Sequence, residues 1–111
     1  MSAKDELSRG DIDAALQKLP DWRYNSGGLH TVFKAGSARV ALDLIARIGD
    51  LAEEQNHHPD VDWRYNKVIV SLTSHDAGTV VTSRDVSAAE AISSAAAGTG
   101  AEAKPDQVQK G

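Results

Sequence analysis

The chain has no cysteine, which excludes disulfides, thiolate metal ligands and a cysteine nucleophile. It has no apolar run near the ~20 residues a membrane helix needs, so no membrane contact is expected. Its first ten residues, MSAKDELSRG, lack the apolar core of a signal peptide, which makes the cytoplasm the expected location. The KDEL at residues 4–7 is internal and cannot serve as a C-terminal retention signal. A basic patch is missing as well. Twelve Lys and Arg stand against sixteen Asp and Glu, a net charge of -4, and the cations are scattered singly. Binding nucleic acid through phosphates requires clustered cations, so no nucleic-acid partner is expected.

What is present is the composition of an ordinary globular domain: 41% hydrophobic and 25% charged over 111 residues, enough for one modest core and not for two. Residues 1–9 are polar and expected to be loose. In DIDAALQKLP, Ile12, Leu16 and Leu19 recur at helical spacing and Pro20 stops the helix. Trp22 and Tyr24 alternate with polar residues, Asn25–Gly28 is turn-rich, and Leu29, Thr31 and Phe33 alternate again, which predicts a β-hairpin. Ser37 is a good N-cap for a long helix over about 38–56. Its Ala41, Leu44, Ile45, Ile48, Leu51 and Ala52 form one apolar stripe. Pro59 disfavours helix at His58, so that helix should end near the histidine pair.

Val68, Val70 and Leu72 then mark one face of a strand. Asp76-Ala77-Gly78 reads as a tight turn and TVVTSRD as the return strand. VSAAEAISSAAAG predicts a last helix, with Ser87 as N-cap and Glu90 at the capping-box position. Residues 1–97 make a single domain and 98–111 a polar tail expected to be disordered. The pentapeptide DWRYN occurs at both Asp21–Asn25 and Asp62–Asn66, each time opening the first strand of an expected hairpin, and can be read as an internal repeat. The order helix-hairpin-helix-hairpin-helix predicts an α+β fold, a four-stranded antiparallel sheet covered on one face by three helices.

The chemistry gathers between Glu53 and Asp85, a stretch with three of the four histidines, His57, His58 and His75. Glu53 and His57 are four residues apart, so on a helix they are neighbours away from the apolar stripe. Such a carboxylate can fix an imidazole's tautomer. His75 follows the Val68–Leu72 strand, and pairing that strand with the return strand would bring Asp85 near His75. Three imidazoles with two carboxylates suit general acid/base chemistry. The same types also make metal sites. Adjacent histidines, however, do not readily share one ion, and the helical metal motif places histidines at i and i+4, where position 53 here is Glu. A third reading is a plain surface pair worth only ~0.3–0.5 kcal/mol. Outside the cluster, His30 reads as a surface histidine, and Trp22 and Trp63 as core or rim aromatics.

The run Glu53-x-x-x-His57-His58-Pro59, five residues, Tyr65, nine residues, His75, nine residues, Asp85 resembles the signature of the pterin-4a-carbinolamine dehydratases. The likeness extends over about residues 8–97, through the Trp22 hairpin, the long helix and the closing helix. It implies the α+β fold above and homodimers or homotetramers built through sheet and helix contacts. It implies dehydration of 4a-hydroxytetrahydropterin to the quinonoid dihydropterin, which recycles the cofactor of aromatic amino acid hydroxylases. It implies no metal and no organic cofactor, the pterin being the substrate. His57 and His75 would then be the acid/base pair, and His58 would bind the pterin and share the proton work. Glu53 would orient His57, and Asp85 would support His75 or its loop. Asn56, Thr73 and Arg84 are further pocket candidates taken from neighbouring positions. Relatives that lack the histidines serve in protein assembly, which makes a non-catalytic protein-binding module the alternative.

Overall fold

Capping chemistry opens each helix. The structure, a computed structural model, describes residues 6–108. Helix α1 spans Arg9–Gln17. The Ser8 hydroxyl accepts from the Asp11 N–H and the Asp11 carboxylate accepts from the Ser8 N–H, a complete capping box. Residues 6–8, expected to be loose, are held. Glu6 bridges Thr82, and the Leu7 N–H donates to the Val81 carbonyl at 2.9 Å. Residues 1–5 of that expected loose segment lie outside the described residues. Helix α2 spans Ala38–Gln55, and Ser37 caps it through the Val40 N–H. Ala41, Leu44, Ile48 and Ala52 of its stripe are buried, with Ile45 and Leu51 packed at the margin. Each large apolar side chain so buried contributes about 1.5–3 kcal/mol.

The first hairpin joins β1 (Arg23–Asn25) to β2 (Gly28–Lys34) through Ser26 and Gly27, both at positive φ. That pair matches the right-handed twist of the flanking strands. The second hairpin departs from expectation. It joins β3 (Asp60–Arg64) to β4 (Lys67–Leu72) through Tyr65 and Asn66, so the partner of the Val68–Leu72 strand lies before it in sequence. The sheet order is β1-β2-β4-β3, antiparallel throughout. Leu29, Thr31, Phe33, Val68, Val70 and Leu72 are buried on the helix-covered side. Helix α3 (Ser83–Thr99) packs on α2, β2 and β4. The α+β architecture is therefore the expected one, with a short fifth strand added to the expected four.

Three corrections follow from the local chemistry. TVVTSRD is not a return strand. A 3-10 turn occupies His75–Ala77, Thr79 takes a left-handed φ of 61°, and Val80 only bridges Ser74. Helix α3 is capped five residues earlier than the expected Ser87: Thr82 is its N-cap and Asp85 closes the capping box. The expected disordered tail carries the last residues of α3, a short strand β5 (Glu102–Ala103) paired with β2, and a 3-10 turn at Pro105–Gln107. Residues 109–111 of it lie outside the described residues. The two DWRYN copies also differ in register. In the first the turn follows Asn25, whereas in the second Tyr65 and Asn66 are themselves the turn.

The first hairpin turn abuts the loop that carries His75. A Cβ on Gly27, at φ 76°, would lie 2.5 Å from the Thr79 carbonyl oxygen. Gly27→Ala therefore combines the left-handed penalty of roughly 1–2 kcal/mol with a backbone collision. It is expected to lower stability by at least about 2 kcal/mol, read as a lower urea midpoint at constant slope. An unchanged midpoint would contradict this packing.

Candidate active site

Helix α2 ends in a left-handed cap at Asn56 (φ 50°, ψ 43°), whose N–H bonds back to the Ala52 and Glu53 carbonyls. Asparagine tolerates this conformation better than most residues. The cap reverses the chain, so His57 no longer continues the helix face that carries Glu53. The expected Glu53–His57 pair does not form. Glu53 instead accepts from His58 Nε2 at 2.7 Å, an exposed pair at the helix end.

His57 turns inward. Its Nε2 lies 2.5 Å from Asp85 Oδ1, with the imidazole 10% exposed and the carboxylate fully buried. The expectation that Asp85 supports His75 or its loop is thus corrected: it holds the His57 ring instead of His75, because it sits in the first turn of α3 rather than on a strand paired with β4, and it reaches the loop only through Ser74. Its second oxygen accepts from the Ser74 hydroxyl at 2.8 Å and the Thr82 N–H at 2.9 Å. A carboxylate that takes three donors can only accept at Oδ1, so His57 presents Nε2–H to it. The neutral ring then carries its lone pair on Nδ1. Burial makes the arrangement rigid, since an unmade bond among these groups would cost roughly 1–3 kcal/mol each.

His57 lines an open depression of about 340 Å³ with Gln55, Ser83, Arg84 and Ser87. Arg84 Nη1 donates to Asp76 at 2.8 Å, tying the start of α3 to the 3-10 turn. That hydrogen bond holds the Asp76 carboxyl below its usual range. His75 opens the 3-10 turn beside Asp76. It is exposed and makes no side-chain hydrogen bond among the described residues. Thr73, a pocket candidate, spends its hydroxyl on the Gly27 carbonyl at 2.7 Å, a scaffold contact. His30 is half-buried rather than on the surface. Its Nε2 donates to the Asn25 carbonyl and its Nδ1 accepts from the Ser71 hydroxyl. Among the described residues no three His, Asp or Glu side chains group as a metal shell. No helix among them is long and apolar enough to cross a membrane.

Sequence reasoning passed over Ser74 and Thr82. The signal was present: Thr82-x-x-Asp85 is a capping box by pattern, and the alanine-rich run after Ser87 drew the helix start too late.

The family model described as pterin 4 alpha carbinolamine dehydratase matches residues 5–95. This chain belongs to that family. Among dehydratase-family relatives, a protein of Mycolicibacterium smegmatis, whose name marks it as a proposed pterin-4-alpha-carbinolamine dehydratase, is 40% identical over 86 residues. The match covers 78% of this chain and 90% of that one. A Chloroflexus aurantiacus protein of the same name is 37% identical, covering 78% and 91%. A crystal structure from Brucella melitensis, titled a transcriptional coactivator/pterin dehydratase, superposes with a TM-score of 0.78 at 27% identity. It covers 82% of this chain and 98% of that one.

Proposed function

We propose that the protein dehydrates 4a-hydroxytetrahydropterin to the quinonoid dihydropterin and water by histidine acid/base catalysis, and so supports tetrahydropterin recycling. The observation that carries this reading, within the dehydratase family, is the inward-turned His57 on the buried Asp85 carboxylate. Loss of water from a carbinolamine breaks the C4a–O bond. The lone pair of the adjacent ring nitrogen expels the oxygen as that nitrogen gives up its proton and the hydroxyl receives one. A neutral imidazole with Nε2–H on a carboxylate is arranged to accept at Nδ1, and the carboxylate stabilises the cation that forms. His57 takes that part. His75, exposed at the start of the 3-10 turn, delivers the proton that the leaving hydroxyl receives. His58 binds the pterin at the rim, steadied by Glu53. Arg84 lines the same depression and Asn56 fixes the backbone that aims both histidines. The homodimer or homotetramer belongs to the same proposal.

The test follows 4a-hydroxytetrahydropterin decay with and without purified protein. The expected result is a rate above buffer that disappears when His57 and His75 are both replaced by Ala. A rate equal to buffer, or full activity in both single variants, would sink the reading. A stable complex with another protein that survives His57→Ala would favour an assembly role instead.

A further inference from the structure

Ser74 stands between the two imidazoles in the covalent chain and in the hydrogen-bond network. It is fully buried and every polar atom it has is engaged. Its hydroxyl donates to Asp85 Oδ2 at 2.8 Å, and the same oxygen lies 2.8 Å from Thr82 Oγ1. The protons have one consistent arrangement. Asp85 can only accept, so Ser74 donates to it. Thr82 Oγ1 accepts from the Arg84 N–H, and its own hydroxyl donates to Ser74. The Ser74 N–H donates to the Val80 carbonyl at 2.9 Å. Its carbonyl accepts from Ala77 at 3.2 Å and Thr79 at 3.0 Å, which closes the 3-10 turn that begins at His75.

We propose that Ser74 is a positioning residue that sets where His57 and His75 stand relative to one another. Three links join the imidazoles: His57 to Asp85, Asp85 to the Ser74 hydroxyl, and Ser74 to His75 through the peptide bond. The inference rests on the dehydratase reading, in which two proton transfers act on neighbouring atoms of one substrate. Such sites tolerate displacements of roughly 0.5 Å, and a misplacement of about 1 Å can cost on the order of 10²-fold in rate. Removing the hydroxyl leaves Asp85 Oδ2 with the Thr82 N–H alone, so the carboxylate gains freedom to turn, and His57 turns with it.

The test compares Ser74→Ala and Ser74→Thr in the full chain. Ser74→Ala is expected to lower kcat about 10–100-fold, with KM changed far less and the pH profile of kcat altered. Ser74→Thr keeps the hydroxyl and should recover most of the rate. Histidine ¹⁵N spectra give a readout that needs no activity. Wild type should hold His57 as one Nε2–H tautomer, and Ser74→Ala should give a mixture. Should Ser74→Ala fail to fold, Ser74→Cys, of similar size but a weaker donor, takes its place in both measurements. An unchanged pH profile and kcat, or an unchanged His57 tautomer, in the hydroxyl-free variant overturns the proposal. Absence of dehydratase activity in wild type would instead overturn the functional reading, and the tautomer spectrum would still decide the role of Ser74.

Discussion

Asp85→Asn is expected to lower kcat by about 10²–10⁴-fold, the range that general acid/base catalysis supplies, while the domain stays folded. The substitution is nearly isosteric, and the hydrogen-bond inventory dictates how the amide must lie. The Thr82 N–H and the Ser74 hydroxyl both need an acceptor where Oδ2 stands. The amide oxygen takes that place and its NH2 group faces His57 Nε2. Two donors cannot share that contact, so His57 must give up the Nε2 proton and carry it on Nδ1. The proposed proton acceptor is then already occupied. Proton NMR of the imidazole and steady-state kinetics together check this: the tautomer should switch and kcat fall, with the unfolding free energy from urea titration lowered by no more than roughly 1–3 kcal/mol, the cost of imperfectly satisfied buried groups. Full activity with a switched tautomer would separate His57 Nδ1 from the chemistry.

The parts of the fold legible in the sequence are those written in local periodicity. The stripe from Ala41 to Ala52 and the Ser37 cap gave α2 to within a residue or so, because an apolar face of that length has no other stable solution. The alternation of Val68, Val70 and Leu72 likewise gave β4. The partner of β4 was hidden. Asp60–Arg64 has a weak period-two signal, since β3 is an edge strand with mostly exposed side chains, and Asp76-Ala77-Gly78 supplied a turn signal that the chain uses for a 3-10 turn instead. That one mispairing carried Asp85 to the wrong histidine. The candidate residues themselves were visible by type and spacing. Their pairing was not, because it hinges on a single left-handed residue, Asn56, which rotates His57 off the helix and His58 toward Glu53.

The duplicated DWRYN supplies the sharpest contrast between sequence and context. Trp22 is 1% exposed, meets Phe33 edge-to-face at 6.3 Å and 81°, and donates from Nε1 to the Ser93 hydroxyl of α3 at 2.8 Å. Trp63 is 50% exposed on the edge strand and donates only to the nearby Tyr65 carbonyl. The pentapeptides are identical, so any difference in their energetics comes from the surroundings and register of each copy. Trp22→Ala removes a fully buried indole from between the first hairpin and α3, opens a cavity and leaves the Ser93 hydroxyl without its donor. It is expected to cost about 3–5 kcal/mol, a large share of the roughly 5–15 kcal/mol that holds a domain folded. Trp63→Ala, with half its surface already in water and one local hydrogen bond, is expected to cost less than about 1.5 kcal/mol, half or less of the burial energy of a large apolar side chain. Urea unfolding of the two variants side by side measures both, and equal midpoints would mean that the second copy is covered in solution by something other than its own chain.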